Sequence, residues 1–303
     1  MINAKKSRDR YYLLIFILPG LILYTMFVIY PFIASLLLSF YKWPGVGPKI
    51  FIGLGHYKEL FFGAFRNDVL NALIHNIYFF TVTSILELGL GFFIAIMLAS
   101  NIKRASLFKT IVYIPNMIPM ILVGFLWGLF LNPQVGLVNQ ILKTIGLGSL
   151  ARPWLGDATL AFPTIILVNV WRNLGFYVLI LLASILNIPN ELMEAAYIDG
   201  ASPWNVIWKI IFPLSVPTFR TLLILMFIWS FNVFDIVYAL EGAQAGPFRT
   251  TDVLGTLFYR TAFGGLGSGN TGMGLGATLS VFIFLIIMPV SILYVHIVEK
   301  GEK

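Results

Sequence analysis

Cysteine is absent from this 303-residue sequence, and charged residues are scarce, at 11% of the chain. The absence of cysteine excludes a disulfide framework and any thiolate metal site. A soluble domain carries roughly 25% charged residues, whereas this chain is 59% hydrophobic. It therefore lacks the polar surface needed to face water on all sides. We predict that most of its surface faces lipid.

Motifs for nucleotide binding and for catalysis are also missing. The phosphate loop G-x-x-x-x-G-K-[ST] does not occur, and the dipeptide Gly-Lys is absent. A literal G-x-G-x-x-G lies at Gly267, Gly269 and Gly272. It precedes an apolar run instead of lying in a βαβ unit, so we interpret it as a flexible loop with close-packing glycines. The three histidines are scattered, and no carboxylate pair or Ser/His arrangement indicates catalysis. We predict no catalytic residue, no metal site and no enzyme activity.

What the sequence has instead is six apolar segments long enough to cross a bilayer, which takes about 20 residues per helix. They lie at about 12–40, 73–99, 111–132, 160–186, 215–240 and 274–298. Open sheets are excluded within lipid, and a β-barrel would show alternating strands of about ten residues. We predict an all-α polytopic membrane protein with six transmembrane helices, forming a single domain over 1–303.

The first and third apolar segments contain features that need interpretation. The run over residues 11–40 is longer than the apolar core of a signal peptide, roughly 7–15 residues, so we predict a retained first helix. Pro19 and Pro31 lie in the first segment, and Pro115 and Pro119 lie in or at the third. Proline bends a helix where neighbouring helices satisfy the freed backbone groups. We interpret these prolines as ordinary membrane-helix kinks.

The distribution of basic residues predicts the orientation. Six spans put both termini on one side of the membrane. The termini and the loops on that side hold more Lys and Arg, in shorter segments, than the opposite loops. The positive-inside rule then places both termini and the loop 187–213 in the cytoplasm.

This cytoplasmic loop is acidic and contains the stretch ELMEAAYIDGASPWNVIWKIIFP, residues 191–213. Glu191 and Glu194 fall in the first turns of a predicted helix, where carboxylates favour the positive helix end. Gly200 would end this helix, and Ser202-Pro203 would begin another. Membrane-surface helices are usually basic because the inner leaflet is negative. The acidic elbow therefore indicates a protein partner, although helix capping alone would also account for the acids.

The spacing in this loop resembles the EAA loop of bacterial binding-protein-dependent ABC permeases. That pattern reads E-A-A, three residues, G, nine residues, I, one residue, L-P. The matching residues are Glu194, Ala195, Ala196, Gly200, Ile210, Phe212 and Pro213. Phe212 stands where leucine is usual, a replacement of one bulky apolar residue by another.

Further stretches resemble the carbohydrate branch of this family, and its first permease subunit in particular. They are LPGLILYTMFVIYPFIASLLLSF, FIGLGHYKELF, YIPNMIPMILVGFLWGLFLNPQVGLVN and SFNVFDIVYALEGAQAGP. In the second stretch His56 replaces the usual asparagine, and the 41–70 loop lacks the large extra domain that some maltose-type members insert.

The resemblance implies a type I ABC importer permease fold in the bacterial cytoplasmic (inner) membrane, with the elbow as a coupling helix that docks on an ATPase. The implied partners are a second homologous permease subunit, a dimer of ATP-binding cassette subunits, an external solute-binding protein, a carbohydrate substrate and membrane lipid, without nucleic acid. ATP and Mg would be bound by the ATPase, so this chain would hold no cofactor. The implied coupling residues are Glu191, Glu194, Ala195, Ala196, Asp199 and Gly200.

Ionisable residues inside membrane spans are costly and mark functional candidates. They are Glu87, Arg172, Arg220 and Asp235. Arg220 lies near the cytoplasmic end, so we interpret it as snorkelling to the membrane surface. Glu87 is equally well explained as a buried interhelical partner and as a functional residue.

Several polar and aromatic residues recur at steps of three and four residues in the fourth and fifth apolar segments. In a helix, such a spacing places them on one face of each segment. The candidate substrate-binding residues are Asn169, Arg172, Asn173, Phe176, Trp229, Asn232 and Asp235. Amide and guanidinium donors suit sugar hydroxyls, aromatic rings suit the C–H face of a sugar, and the resemblance implies a sugar site between these two helices. The alternative is interhelical polar contact, worth about 1 kcal/mol each. Arg172 would suit an anionic sugar, unless Asp235 neutralises it and a neutral oligosaccharide fits better.

These observations predict the transmembrane permease subunit of an ATP-driven, binding-protein-dependent sugar importer that couples to a separate ATPase through the EAA loop. The alternative is a secondary sugar carrier driven by an ion gradient, in which Glu87 and Asp235 relay protons. Such a carrier would have no use for an ATPase-docking loop. A membrane-embedded enzyme is the least favoured class.

Overall fold

A computed structural model describes residues 16–100, 104–264 and 272–301. Within these ranges the chain is helical apart from one antiparallel pair of two-residue strands, β1 (Tyr41–Lys42) and β2 (Ile50–Phe51). The helices, in chain order, are α1 (Phe16–Leu38), α2 (Gly55–Phe62), α3 (Arg66–Ala99), α4 (Ala105–Tyr113), α5 (Met120–Phe130), α6 (Leu137–Thr144), α7 (Ala161–Leu186), α8 (Asn190–Ile198), α9 (Pro203–Phe231), α10 (Asp235–Glu241), α11 (Leu254–Phe263) and α12 (Met273–Gly301). Short 3₁₀ turns lie at Ile114–Met117, Gly148–Leu150 and Pro247–Arg249.

Five of these helices, α1, α3, α7, α9 and α12, are long and apolar enough to cross a membrane. The bent pair Ala105–Met117 and Met120–Phe130 makes a sixth span if it is counted as one. The prediction of an all-α polytopic fold is therefore confirmed. Residues 12–15 of the first predicted segment, the basic N-terminal flank, and Gly267 and Gly269 of the glycine loop lie outside the described residues.

The chain divides into two compact units. The first comprises the described residues of Met1–Arg66 and Phe258–Phe284. In it, Phe32 of α1 contacts Phe284 of α12, with ring centroids 4.7 Å apart. Thr278 donates a hydrogen bond to the carbonyl oxygen of Ser39 at 3.2 Å. The beginning of α12 therefore packs on the end of α1.

The second unit comprises Asn67–Leu257 and the described residues of Leu285–Lys303. Its core is built where α3 packs on α7, and Gly91 of α3 faces Tyr177 and Leu181 at van der Waals distance. The absence of a side chain at Gly91 lets the two backbones approach closely. A single domain over 1–303 stays a prediction.

The third span is broken, and the interpretation of its prolines as ordinary helix kinks is wrong. The axes of Ala105–Met117 and Met120–Phe130 differ by 96°. Ile118 has extended backbone angles (φ −77°, ψ 128°), and Pro119 precedes α5 with ψ 137°. The cause is steric, because a proline pushes the preceding residue out of the helical region. Ile118 stands directly before Pro119 and therefore ends the first half of the span.

The fifth span begins and ends earlier than the predicted 215–240. Helix α9 begins at Pro203 and ends at Phe231, and α10 begins separately at Asp235. The Asn232 side chain donates to the carbonyl oxygen of Ile228 at 2.8 Å, and the backbone N–H of Asn232 donates to the same oxygen at 3.2 Å. Near its beginning, α9 contains the π turn Ile207–Ile211, where the ring of the following proline crowds the preceding turn.

Candidate functional site

The predicted elbow is present in the structure. Helix α8 ends at Ile198, Gly200 adopts a left-handed backbone (φ 79°), and the Ser202 hydroxyl accepts a hydrogen bond from the backbone N–H of Asn205 at 3.3 Å. Glycine adopts left-handed backbone angles at little cost in free energy because it has no Cβ. A serine side chain that caps the first turn is typical of the beginning of a helix. The sequence therefore predicts both breaks in this loop correctly.

The six predicted coupling residues lie on α8 and in the turn that follows it. All but Ala196 are exposed, and Ala196 packs with Met193 against the apolar core of the second unit. The elbow thus has one face on the helix bundle and one face free. The free face also carries Ile198, whose side chain is 86% exposed. The sequence analysis missed Ile198, although it is an apolar residue beside an acidic helix end.

A column of aromatic rings connects the elbow to the membrane helices. Trp204 contacts Trp208 with ring centroids 5.7 Å apart, and Trp208 contacts Phe212 at 5.3 Å. Phe212 in turn contacts Phe92 of α3 at 5.7 Å. These edge-on and tilted contacts are favourable aromatic geometries. They fix the first turns of α9 to α3, a connection that the sequence alone does not reveal.

The predicted substrate-binding residues meet around one cavity in the second unit. The cavity has a volume of about 420 Å³ and is lined by all seven of them. They are Asn169, Arg172, Asn173 and Phe176 of α7, Trp229 of α9, Asn232 in the break and Asp235 of α10. The rings of Phe176 and Trp229 lie 5.7 Å apart. The end of α9 at Phe231 brings Asn232 and Asp235 to the cavity wall.

Four side chains on one side of the cavity form a continuous chain of hydrogen bonds, which we call the amide ladder. Arg172 Nη1 donates to Asn173 Oδ1 at 2.8 Å, Asn173 Nδ2 donates to Asn169 Oδ1 at 3.1 Å, and Asn169 Nδ2 donates to Glu87 Oε1 at 3.2 Å. Asn169 is 6% exposed and Glu87 is 1% exposed. These buried polar groups are thus paired with one another, as low-dielectric surroundings require.

The broken third span contributes to the same ladder. The carbonyl oxygen of Ile118, which lies at the break, accepts a hydrogen bond from Arg172 Nε at 3.2 Å. Asn116 Nδ2 donates to Asn173 Oδ1 at 3.4 Å. Irregular backbone at membrane depth is tolerated where protein or a cavity satisfies it. The break therefore has a partner in Arg172, and the sequence analysis missed both contacts.

The charges that face the cavity are of opposite sign. Arg172 and Asp235 both line it and interact electrostatically, and no ion pair joins them in the described part of the chain. Arg220 is exposed on α9 and does not line this cavity. No group of three or more His, Asp or Glu side chains that could hold a metal ion occurs among the described residues.

Comparison with known proteins places these features in a family. A family model described as "Binding-protein-dependent transport system inner membrane component" matches residues 88–300. The trehalose/maltose transport system permease protein MalF of Thermococcus litoralis is 32% identical over 93% of this chain and 91% of its own length. The probable starch degradation products transport system permease protein AmyD of Thermoanaerobacterium thermosulfurigenes is 29% identical over 99% and 98%. A crystal structure of a bacterial ABC transporter involved in the import of the acidic polysaccharide alginate matches with a TM-score of 0.83, at 24% identity over 100% of both chains.

Proposed function

Because this chain belongs to the family of binding-protein-dependent transport system inner membrane components, we propose that it is a transmembrane permease subunit of an ATP-driven sugar importer. The observation that carries the proposal is the cavity lined by amides, the Arg172 guanidinium, the carboxyl groups of Glu87 and Asp235, and several aromatic rings, Phe176 and Trp229 among them. Polar groups that converge in a cleft beside aromatic walls are typical of small-molecule sites. Relatives named for trehalose/maltose and for starch degradation products support a sugar as the substrate.

Helix α9 is the element that connects the energy source to the substrate. It runs without interruption from Pro203 in the elbow to Phe231 beside the cavity, over 29 residues. At about 1.5 Å per residue it is about 43 Å long. A displacement of the elbow by a partner ATPase would therefore move Trp229, which lines the cavity near the far end. Alternating access follows if that motion opens the cavity first to one side of the membrane and then to the other.

The proposed partners follow from the family to which the chain belongs. A second homologous permease subunit would complete the pathway, a dimer of ATP-binding cassette subunits would bind ATP and Mg, and an external solute-binding protein would deliver the sugar. The elbow would then face the cytoplasm together with both termini. ATP hydrolysis would belong to the partner subunits, because this sequence has no phosphate loop.

The cavity charges favour a neutral sugar. Arg172 and Asp235 place one positive and one negative side chain on the same cavity without an ion pair between them. Sugar hydroxyls both donate and accept hydrogen bonds, so they can pair with both groups at once. An anionic sugar would gain from Arg172 and would be repelled by Asp235.

A charge reversal on the elbow tests the proposal. In the assembled transporter, Glu194→Lys should weaken co-purification of the ATPase subunits and lower sugar-stimulated ATP hydrolysis about tenfold, because reversing a charge at an interface costs a few kcal/mol. Asp157→Lys makes the same charge change at an exposed carboxyl outside the elbow, and co-purification of the ATPase should be unchanged. Full ATPase binding by Glu194→Lys, together with full transport, would contradict docking through this face.

A further inference from the structure

The amide ladder has a direction that is set at its two ends. Arg172 carries only hydrogen-bond donors, whereas each asparagine amide carries one acceptor oxygen and one donor NH₂ group. At the other end, Oε1 of Glu87 accepts from Asn169. An amide that accepts from a donor on one side must donate on the other side. Asn173 and Asn169 therefore point the same way, from Arg172 toward Glu87.

Reversal of either amide would break contacts on both of its sides. If Asn173 turned over, its NH₂ group would face the donors of Arg172 and Asn116, which now share its oxygen at 2.8 and 3.4 Å. If Asn169 turned over, its oxygen would face the carboxyl of Glu87. Unpaired buried donors or acceptors cost about 1–3 kcal/mol each. The acceptor at position 87 thus holds Asn169 in the orientation that Arg172 and Asn116 favour at the other end of the ladder.

We propose that Glu87 is a positioning residue of the cavity: by accepting from Asn169, it orients both amides and holds the Arg172 guanidinium toward the bound sugar. This inference rests on the proposed function, because it assigns a role within the same site. Arg172 uses Nε on Ile118 and one N–H of Nη1 on Asn173. Its Nη2 is outside these contacts, and its side chain lines the cavity. A guanidinium fixed on two sides presents its remaining donors in one direction.

The position of Glu87 suits a positioning role better than it suits the role of a simple link between helices. It lies on α3, whereas the other three members of the ladder lie on α7, and Tyr177 on α7 also interacts with its carboxyl. Through Arg172 and Asn173 the ladder reaches Ile118 and Asn116 at the break of the third span. One acceptor on α3 thus determines how two other spans present their polar groups to the cavity.

The substitution Asn173→Asp tests the direction of the ladder. The new carboxylate still accepts from Arg172 and can no longer donate to Asn169. The Asn169 amide must then turn its NH₂ group toward position 173 and its oxygen toward position 87. With an ionised Glu87, two oxygens face each other there. With Glu87→Gln, the new amide donates to that oxygen, and the ladder closes in the opposite direction.

The experiment measures ATP-dependent sugar uptake by the complete transporter in vesicles, with Asn173→Asp placed in the wild-type and in the Glu87→Gln background. In the wild-type background we expect Asn173→Asp to lower sugar uptake about tenfold, in proportion to the unpaired buried groups. In the Glu87→Gln background we expect uptake to fall by no more than about threefold. A loss of equal size in both backgrounds would overturn the positioning role, because a mere interhelical link has no direction.

Asn76→Asp is the matched control, since Asn76 is fully buried and lies outside the ladder. It donates to the carbonyl oxygen of Ser230 at 2.6 Å and accepts from the backbone N–H of Leu254 at 2.8 Å. Its effect on uptake should be the same in both backgrounds. A background-dependent effect of Asn76→Asp would show that Glu87→Gln acts on the bundle in general, and this outcome would also overturn the proposal.

Thermal unfolding of the same purified complexes separates the two possible failures. If Arg172→Ala abolishes uptake but the background effect of Asn173→Asp is confined to stability or is absent, the positioning role is wrong and the proposed function stands. If the background effect appears in stability while uptake responds to no variant, Arg172→Ala included, the cavity is not the sugar path, and both proposals fail.

Discussion

Glu241 is a single carboxyl whose surroundings make the stability of the protein depend on pH. It is the last residue of α10, outside the candidate spans, and its Oε1 is buried without a hydrogen-bond partner among the described residues. Burial raises the pKa of Glu241 from 4.5 to about 7. Between these two values the folded state binds the proton more tightly than the unfolded chain does. The stabilisation is therefore complete below about pH 4.5 and is lost as the pH rises through about 7.

The variant Glu241→Gln should remove this dependence, because an amide keeps the shape of the acid and does not ionise. Its melting temperature should exceed that of the wild type by more above pH 7 than at pH 5, as measured by tryptophan fluorescence in detergent. Asp157→Asn is the control, since hydrogen bonds from Thr159 lower the pKa of Asp157, so that its difference from the wild type should stay constant from pH 5 upward. A constant difference between Glu241→Gln and wild type across this range would contradict the buried state of the carboxyl.

A substitution of Arg172 tests whether the sugar is neutral or anionic. If the substrate is neutral, Arg172→Ala removes a hydroxyl partner and lowers uptake of neutral and charged test sugars by the same factor, about tenfold for a charged hydrogen bond of 1.5 kcal/mol. A selective loss for the anionic sugar in competition assays would contradict the neutral assignment. Asp235→Asn serves as the comparison, because it removes one of the two carboxyl groups that line the cavity with Arg172.

At the level of residues, the sequence predicts many of the residues that line the cavity and none of the hydrogen bonds between them. The faces containing Asn169 and Trp229 follow from steps of three and four along single helices, and the structure brings both faces to one cavity. The contact between Asn169 and Glu87 joins residues 82 positions apart, and spacing along one helix carries no information about such a pair. The sequence therefore leaves the alternatives for Glu87 open.

At the level of elements, the packing of α10 on α5 depends on a residue without a side chain. A Cβ added at Gly124 would lie 2.9 Å from the backbone carbonyl carbon and oxygen of Ala239, whereas a Cβ at Gly128 would meet nothing within 4 Å. Both glycines lie in α5, one turn apart. The close approach at Gly124 holds α10, and hence Asp235, against the second half of the third span.

We therefore expect opposite effects from the same substitution at the two glycines. Gly124→Ala should push α10 away, lower the melting temperature of the complex and reduce uptake. Gly128→Ala should be neutral or stabilise the helix by about 0.5–1 kcal/mol, since alanine has the higher helix propensity. Equal melting temperatures for the two variants would contradict the close contact between α5 and α10.

The elements that the sequence predicts least well are those that break inside an apolar run. The hydropathy pattern is continuous over residues 111–132 and 215–240, because Ile118, Val233 and Phe234 at the breaks are as apolar as the residues of the helices. The breaks are set by local stereochemistry, by Pro119 in one case and by Asn232 in the other. Pro119 was visible in the sequence and interpreted as a kink. A bend of 96° additionally needs a partner for the freed carbonyl of Ile118, which only the folded bundle supplies.

At the level of the whole molecule, the chain holds an exposed elbow and a polar cavity that one helix connects. Neither composition nor the number of spans distinguishes a permease subunit from a secondary carrier. The EAA spacing over about twenty residues is the feature of the sequence that indicates the family. The orientation in the membrane and the set of partner subunits stay predictions. Both follow from the elbow, because an ATPase that hydrolyses cytoplasmic ATP must reach it from that side.

Sugar accumulation in sealed vesicles is the most direct test of coupling to a separate ATPase. Vesicles that contain this chain with its permease partner and the ATPase dimer should accumulate labelled sugar from the loaded binding protein only when ATP reaches the ATPase. Vanadate should stop this uptake, and an uncoupler should not. Vesicles that contain this chain without an ATPase should accumulate none. If the chain without an ATPase concentrates sugar, and an uncoupler abolishes that accumulation, the protein is an ion-driven carrier and the account is wrong.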